Sequence, residues 1–321
     1  MQYDIHPDMS DLLAAKEAAP KAGDSGVLRS GWDSYGSRLN RPYPDGMIVR
    51  DEFLDVAGAG KDGRIPVRFY WPKNVRRPSP CVVYLHGGAF IKGSLDSGDA
   101  IAWGIADHTG FVVMSVDYRL APENPFPAGV EDCYAAVKHL SESGERFGVD
   151  PRRIAVWGDS AGGNMAASVC LMARDRGGPT IRAQAINYPC LTDDLSAPAY
   201  RDMADAAGVA TASIDRAWNL YLGDRRPTKN GYAAPLKAAD LSGLPPAHVH
   251  YAEYDCLADD ARSYAQRLKA AGCAVTLREA SRMIHGYLRA RFTGPDAAAE
   301  FATPCRFLNA HLLDPPPSRR A

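Results

Sequence analysis

The chain has no apolar run approaching the roughly 20 residues that a helix needs to cross a bilayer. Its first residues, Met1-Gln2-Tyr3-Asp4, carry neither the basic start nor the apolar stretch of a secretory signal, so no export leader is expected. An excess of one charge is also missing. Lys and Arg number 37 against 38 Asp and Glu, for a formal net charge of −1. That leaves no electrostatic footprint for nucleic acid or an anionic membrane. There is no C-x-x-C pair; the seven cysteines are scattered and odd in number, which reads as reduced thiols and hence a cytoplasmic protein. Internal repeats and long low-complexity tracts are lacking. Gly158, Gly162 and Gly163 do not spell G-x-G-x-x-G, which argues against a Rossmann dehydrogenase.

What is present is an alternation of strand and helix patterns. At 321 residues the chain can bury a large core, and α/β folds of this length often remain one domain. Residues 1 to about 44 are polar and rich in small residues. One helix is expected at Met9–Ala19, with Leu12, Leu13, Ala15 and Ala19 on one side. The segment 1–45 is expected to act as a lid over a pocket, the alternative being a packed N-terminal extension. Strands follow at Met47–Val56 and Ile65–Trp71, joined by a glycine-rich turn and therefore antiparallel. Short apolar strands (Cys81–Leu85, Phe111–Val116, Ile154–Trp157, Ala183–Asn187) then alternate with helices (Asp99–His108, Val130–Ser143, Ser160 to about Arg174). This implies a parallel sheet covered on both faces.

Between Pro189 and Leu241 the rhythm breaks into helical pieces at Ala199–Ala206 and Ser213–Leu222. The segment 190–241 is expected to be a cap insertion over the carboxyl ends of the strands, where such sheets bind ligands. Strands at His248–Tyr254 and Ala274–Glu279, with helices at Asp260–Ala271 and Ala298–His311, complete an eight-strand count. The core is thus expected at 46–189 and 242–314, with 315–321 as a frayed tail.

The stretch Gly158-Asp159-Ser160-Ala161-Gly162-Gly163 sits between an apolar strand and a helix and contains G-x-S-x-G. A serine on a sharp strand-to-helix turn projects its hydroxyl, and side chains two positions away would collide with the turn. The following helix places its dipole and free N–H groups nearby. Read alone, the motif is equally a glycine-rich helix start with a capping serine. A serine nucleophile also needs a base, and the base needs an orienting acid. On such sheets the order is Ser, acid, His. Asp255 ends one strand and His285 follows the last, 95 and 30 residues further on in turn. His248 and His250 alternate inside a strand. His311, His6 and His139 lie away from strand ends, and Asp259 and Asp260 read as helix caps. His86-Gly87-Gly88-Ala89-Phe90 follows a strand, and Gly87 and Gly88 are expected to offer backbone N–H groups to an oxyanion, with Ala161 as third donor.

Taken together, His86-Gly87-Gly88, Asp117-Tyr118-Arg119-Leu120-Ala121-Pro122-Glu123 with Phe126-Pro127-Ala128, the serine turn, Asp255-x-Leu257-x-Asp259 and His285-Gly286 resemble the hormone-sensitive-lipase-like esterases of the α/β-hydrolase superfamily. The resemblance spans about Pro80 to His311. It implies an eight-stranded, mostly parallel sheet with a helical cap, and hydrolysis of short- to medium-chain carboxylic esters without a metal or organic cofactor. Two departures stand out. Ala89 replaces a usual third glycine, where an alanine N–H can still donate if its φ is negative, so only a subtle effect is expected. Cys256 replaces a usual proline after the acid, which leaves the carboxylate in place. Asp159 reads as a structural acceptor, and the run from Asp117 to Glu123 as a brace under the active site. Phe90, Trp32 and Tyr188 are expected to line the substrate site. Alternative readings are an amide or formamide hydrolase with the same triad, or a ligand-binding receptor that has lost catalysis. A homodimer through a sheet edge is common among similar proteins.

Overall fold

The computed structural model describes residues 3–19 and 25–313; the expected tail at 315–321 lies outside the described residues. Eight strands form one sheet: β1 (Ile48–Asp55), β2 (Arg64–Trp71), β3 (Ser79–Leu85), β4 (Val112–Val116), β5 (Val149–Asp159), β6 (Gln184–Asn187), β7 (Ala247–Tyr254) and β8 (Val275–Ile284). Their order is β1-β2-β4-β3-β5-β6-β7-β8. Strand β2 runs antiparallel to β1 and β4, and all other pairs are parallel. Around the sheet lie α1 (Ser10–Glu17), α2 (Ser25–Arg38), α3 (Leu95–Thr109), α4 (Ala128–Ser143), α5 (Ala161–Asp175), α6 (Pro198–Asp202), α7 (Thr211–Leu222), α8 (Ala258–Ala270) and α9 (Pro295–Leu312).

The central strands are apolar on both faces because both faces are covered. In β3, Val83 and Leu85 join a core built with α4, α5 and α8, while Val82 and Tyr84 join a second core with α3 and α9. The period of two along a strand divides the side chains between these layers. Helix α3 starts a turn earlier than expected, because Ser94 and Ser97 form a reciprocal capping box. Strand β8 continues past Glu279 to Ile284 despite its polar residues, since it is an edge strand with one face open.

The N-terminal segment is more structured than its composition suggests. Helix α2 was not expected, since glycines and serines interrupt its sequence. One of them, Gly36, permits a close approach: a Cβ there would lie 2.7 Å from the Cα of Ser97. Met9, Leu12 and Tyr35 are buried in the second core. Asp8 accepts hydrogen bonds from the N–H groups of Asp296 and Ala297 at 2.9 and 3.0 Å, capping α9 from the other end of the chain. The segment after β6 forms no strand before β7; α6, α7 and short 3-10 turns fill it. It is pinned to α8, where the Asp260 carboxylate accepts from Leu191 N, Thr192 N and Tyr200 Oη.

Candidate active site

Three loops leave the carboxyl ends of β5, β7 and β8, and each carries one reactive side chain. Ser160 joins β5 to α5 with φ 58° and ψ −120°, a left-handed φ that side chains rarely tolerate. The flanking glycines are required by contact. A Cβ on Gly158 would fall 2.0 Å from the Gly162 carbonyl oxygen, and one on Gly162 would fall 2.0 Å from that of Leu85. Asp255 follows β7 and is fully buried. Its Oδ1 accepts from the N–H of Leu257 at 3.0 Å, which fixes the carboxylate plane. His285 follows β8, with Nδ1 2.7 Å from Asp255 Oδ2 and Nε2 2.9 Å from Ser160 Oγ. The relay is complete: a buried acid orients an imidazole whose far nitrogen reaches the hydroxyl.

Beside it lies a cavity of about 480 Å³, whose walls include Ser160, His285, Gly88, Ala89 and Trp32, a size typical of small-molecule sites. Helices α1 and α2 supply one wall, and residues 206–216 supply another. Gly208 is pressed against the catalytic loop, since a Cβ there would be 2.4 Å from the His285 nitrogen.

A family model described as alpha/beta hydrolase fold matches residues 82–289. The chain belongs to this family. Among curated proteins it is 45% identical over 304 residues to the carboxylesterase NlhH of Mycobacterium tuberculosis, covering 92% of each chain. It is 31% identical over 294 residues to an ethyl acetate hydrolase of Pseudomonas putida, covering 89% of this chain and 92% of that one. Among solved structures, a Pyrobaculum calidifontis esterase superposes with a TM-score of 0.85 at 33% identity, covering 95% of this chain and 98% of the other. A thermostable esterase from Pseudomonas putida gives a TM-score of 0.88 at 29% identity, with 96% and 98% covered. This α/β hydrolase is related to the hormone-sensitive-lipase-like esterases, and its Ser160-His285-Asp255 triad is that of a serine hydrolase working through an acyl-enzyme.

The structure corrects several expectations about the surrounding residues. The Gly87 N–H is not free, because it donates at 3.0 Å to Asp159 Oδ1, which also accepts from Tyr84 Oη at 2.7 Å. Asp159 is thus a buried acceptor behind the nucleophile, as its place in the turn suggests. Ala89 has φ +56°, not a negative value; the turn from Gly88 to Phe90 is left-handed throughout. That turn swings Phe90 out of the cavity and into the cap, where its ring stacks on Tyr221 with centroids 4.1 Å apart. Tyr188 is fully buried and meets His285 edge-on at 4.8 Å, behind the imidazole and outside the cavity wall. Of the three expected lining residues only Trp32 faces the cavity.

His86 is buried and stacks on Tyr118, and burial pushes its pKa down to about 4, so it stays neutral as a strut. Tyr118 Oη donates to the His86 carbonyl at 2.6 Å. Arg119 forks onto the buried Asp132, which also accepts from Gly60 N. Glu123 takes Arg29 of α2, whose guanidinium also reaches the carbonyls of Ile91 and Ala121. The run after β4 therefore braces the loop that follows His86. Cys256 is buried, with its sulfur 3.6 Å from the Val209 carbonyl, so the residue after the acid contacts the cap. Sequence reasoning missed Lys16, Lys92, Tyr35 and Ile214 in the cavity wall. The only signal was Leu28, Trp32 and Tyr35 at helical spacing.

Proposed function

We propose that this α/β hydrolase, a carboxylic-ester hydrolase by its triad and its family, acts on esters with short to medium acyl chains. His285 Nε2 takes the proton of Ser160 Oγ as that oxygen attacks the ester carbonyl. The tetrahedral intermediate collapses when the same proton passes to the departing alcohol, leaving an acyl-serine. Water, deprotonated by His285, then attacks the acyl carbon, and the proton returns to Ser160 as the acid leaves. Asp255 holds the imidazole tautomer and stabilises its charged form. We assign the oxyanion hole to the N–H groups of Gly88, Ala89 and Ala161, with Ala89 in place of Gly87. In support, no acceptor among the described residues takes any of the three, whereas Gly87 is committed to Asp159. Each such donor contributes about 2.7–4 kcal/mol to transition-state stabilisation.

The observation that carries this reading is the unbroken Ser160-His285-Asp255 relay. A ligand-binding receptor has no need of all three groups, and amides have poorer leaving groups than esters. A fluorophosphonate probe should label Ser160 and fail on Ser160→Ala. A panel of p-nitrophenyl esters from acetate to palmitate should peak at short to medium chains. No labelling of folded protein would favour the receptor, and a peak at palmitate would overturn the chain-length assignment.

We also infer that residues 1–45 and 190–241 act as one cap over the cavity. A cytoplasmic location is supported by seven cysteines that are all free, six of them buried. No helix among the described residues is long and apolar enough to cross a membrane. The open edge of β8, with Leu277 exposed, is where a second copy would add.

A further inference from the structure

The cavity beside Ser160 is lined by three cations and, among the described residues, by no carboxylate. Lys16 comes from α1, Lys92 from the loop before α3, and Arg216 from α7 on the exposed rim. Among the described residues, none of the three forms an ion pair with a carboxylate lining the cavity. The one acidic group that attracts Lys16 is the buried triad member Asp255, which is already engaged by His285. Lys16 Nζ donates to the Gly208 carbonyl, and Gly208 is the residue packed on the His285 backbone. An ammonium is thus tied to the residue that packs on the backbone of the catalytic histidine. Lys92 Nζ lies 4.2 Å from the centre of the Trp32 ring, which faces the same space. Burial lowers both amines to about 8, and repulsion from Lys92 adds to the effect on Lys16. Both keep most of their charge at neutral pH. Two like charges in a largely apolar wall, with no carboxylate lining the cavity among the described residues, form an electrostatic demand that Asp255 meets only in part and from behind His285.

We propose that this cavity selects esters bearing a free carboxylate, held by Lys16 and Lys92 with Arg216 at the entrance. Anionic substrate supplies the missing counter-charge, and charge-assisted hydrogen bonds in a water-poor site are the strong ones. The inference rests on the esterase reading and narrows its substrate class. It predicts why two amines remain inside a site whose chemistry needs neither.

The test compares matched pairs on the whole protein. Mono-p-nitrophenyl glutarate against p-nitrophenyl valerate places the carboxylate on the acyl side. 4-Acetoxybenzoate against phenyl acetate places it on the alcohol side. For at least one pair, kcat/KM of the anionic ester should exceed that of the neutral one by about tenfold or more. Lys16→Met and Lys92→Met, which keep the aliphatic stem, should each lower that ratio by about tenfold, and Lys92→Glu should invert it. On the unmodified protein, glutarate or benzoate should inhibit neutral-ester hydrolysis more strongly than the corresponding amides, whether or not the variants fold. A ratio at or below one for both pairs, or a ratio unchanged in folded lysine variants, overturns the proposal, as does equal inhibition by acids and amides. Turnover of the neutral esters and fluorophosphonate labelling of Ser160 report separately on the esterase reading, so the two can fail apart.

Discussion

Ala89 occupies a backbone position that suits glycine. Its φ of +56° lies in the left-handed region, where an L-residue costs roughly 1–2 kcal/mol. Ala89→Gly should therefore stabilise the fold, by about 0.5–1 kcal/mol after the extra unfolded-state entropy of glycine is subtracted. Ala89→Val should destabilise it, because a β-branched side chain fits that region worse. Urea denaturation of the two variants checks both signs; a destabilised glycine variant would contradict the account. Gly208 presents the converse case. Its missing Cβ leaves room for the His285 backbone, with only 2.4 Å available. Gly208→Ala should cut kcat/KM by about 10- to 100-fold through displacement of the imidazole, with a near-native circular dichroism spectrum. Asp255→Asn should cost about 10⁴ in kcat, because the imidazole loses its correct tautomer. Steady-state kinetics on folded variants decide both.

At the scale of elements, the segment after β6 is joined to α8 through Asp259, Arg267 and, at its most buried point, the carboxylate of Asp260. Asp260 receives two backbone N–H groups and the Tyr200 hydroxyl, yet burial pushes its pKa up to about 7, those hydrogen bonds opposing the rise. The folded pKa therefore lies above the ordinary aspartate value of 3.8, so folding favours the protonated acid. This contribution is fully present below about 3.8 and is lost as pH rises through about 7. Asp260→Asn, which cannot ionise, should gain stability relative to the parent between pH 4 and pH 8, as read by urea denaturation at both values. A pH-independent difference between the two would refute the assignment. Helix α2 illustrates the limit of pattern reading for elements. Its glycines lower intrinsic helix preference, and only the contact with Ser97 explains why one of them is wanted. The start of α3 is hidden from the sequence pattern for a related reason, since Ser94 and Ser97 resemble loop residues and only their mutual capping makes them the helix start.

For the whole molecule, the N-terminal segment is part of the body as well as a wall of the site. Met9 and Leu12 are fully buried and Tyr35 nearly so, and each such side chain contributes about 1.5–3 kcal/mol. Their sum rivals the 5–15 kcal/mol by which a typical fold is stable. Removal of residues 1–45 should thus yield a protein that aggregates or melts well below the full chain, not an active enzyme with an open site. Melting by differential scanning fluorimetry, together with soluble yield, measures this; a stable, active truncation would show that the segment is a detachable lid. The same segment brings Lys16 to the cavity wall and so joins stability to the proposed selectivity.

Local sequence was enough to identify the sheet, the serine turn and the three triad members. Each of these leaves a short-range mark: apolar runs for buried strands, glycines where a strained turn forbids side chains, reactive residues just past strand ends. The contacts around them carried no such mark. Whether Gly87 or Ala89 keeps a free N–H depends on where Asp159 points, and whether Phe90 or Trp32 meets substrate depends on the sign of one φ and the course of α2. Those choices were made by chain segments far apart in sequence packing against one another, and the charge of the cavity wall belongs with them, because its lysines come from regions with no motif of their own.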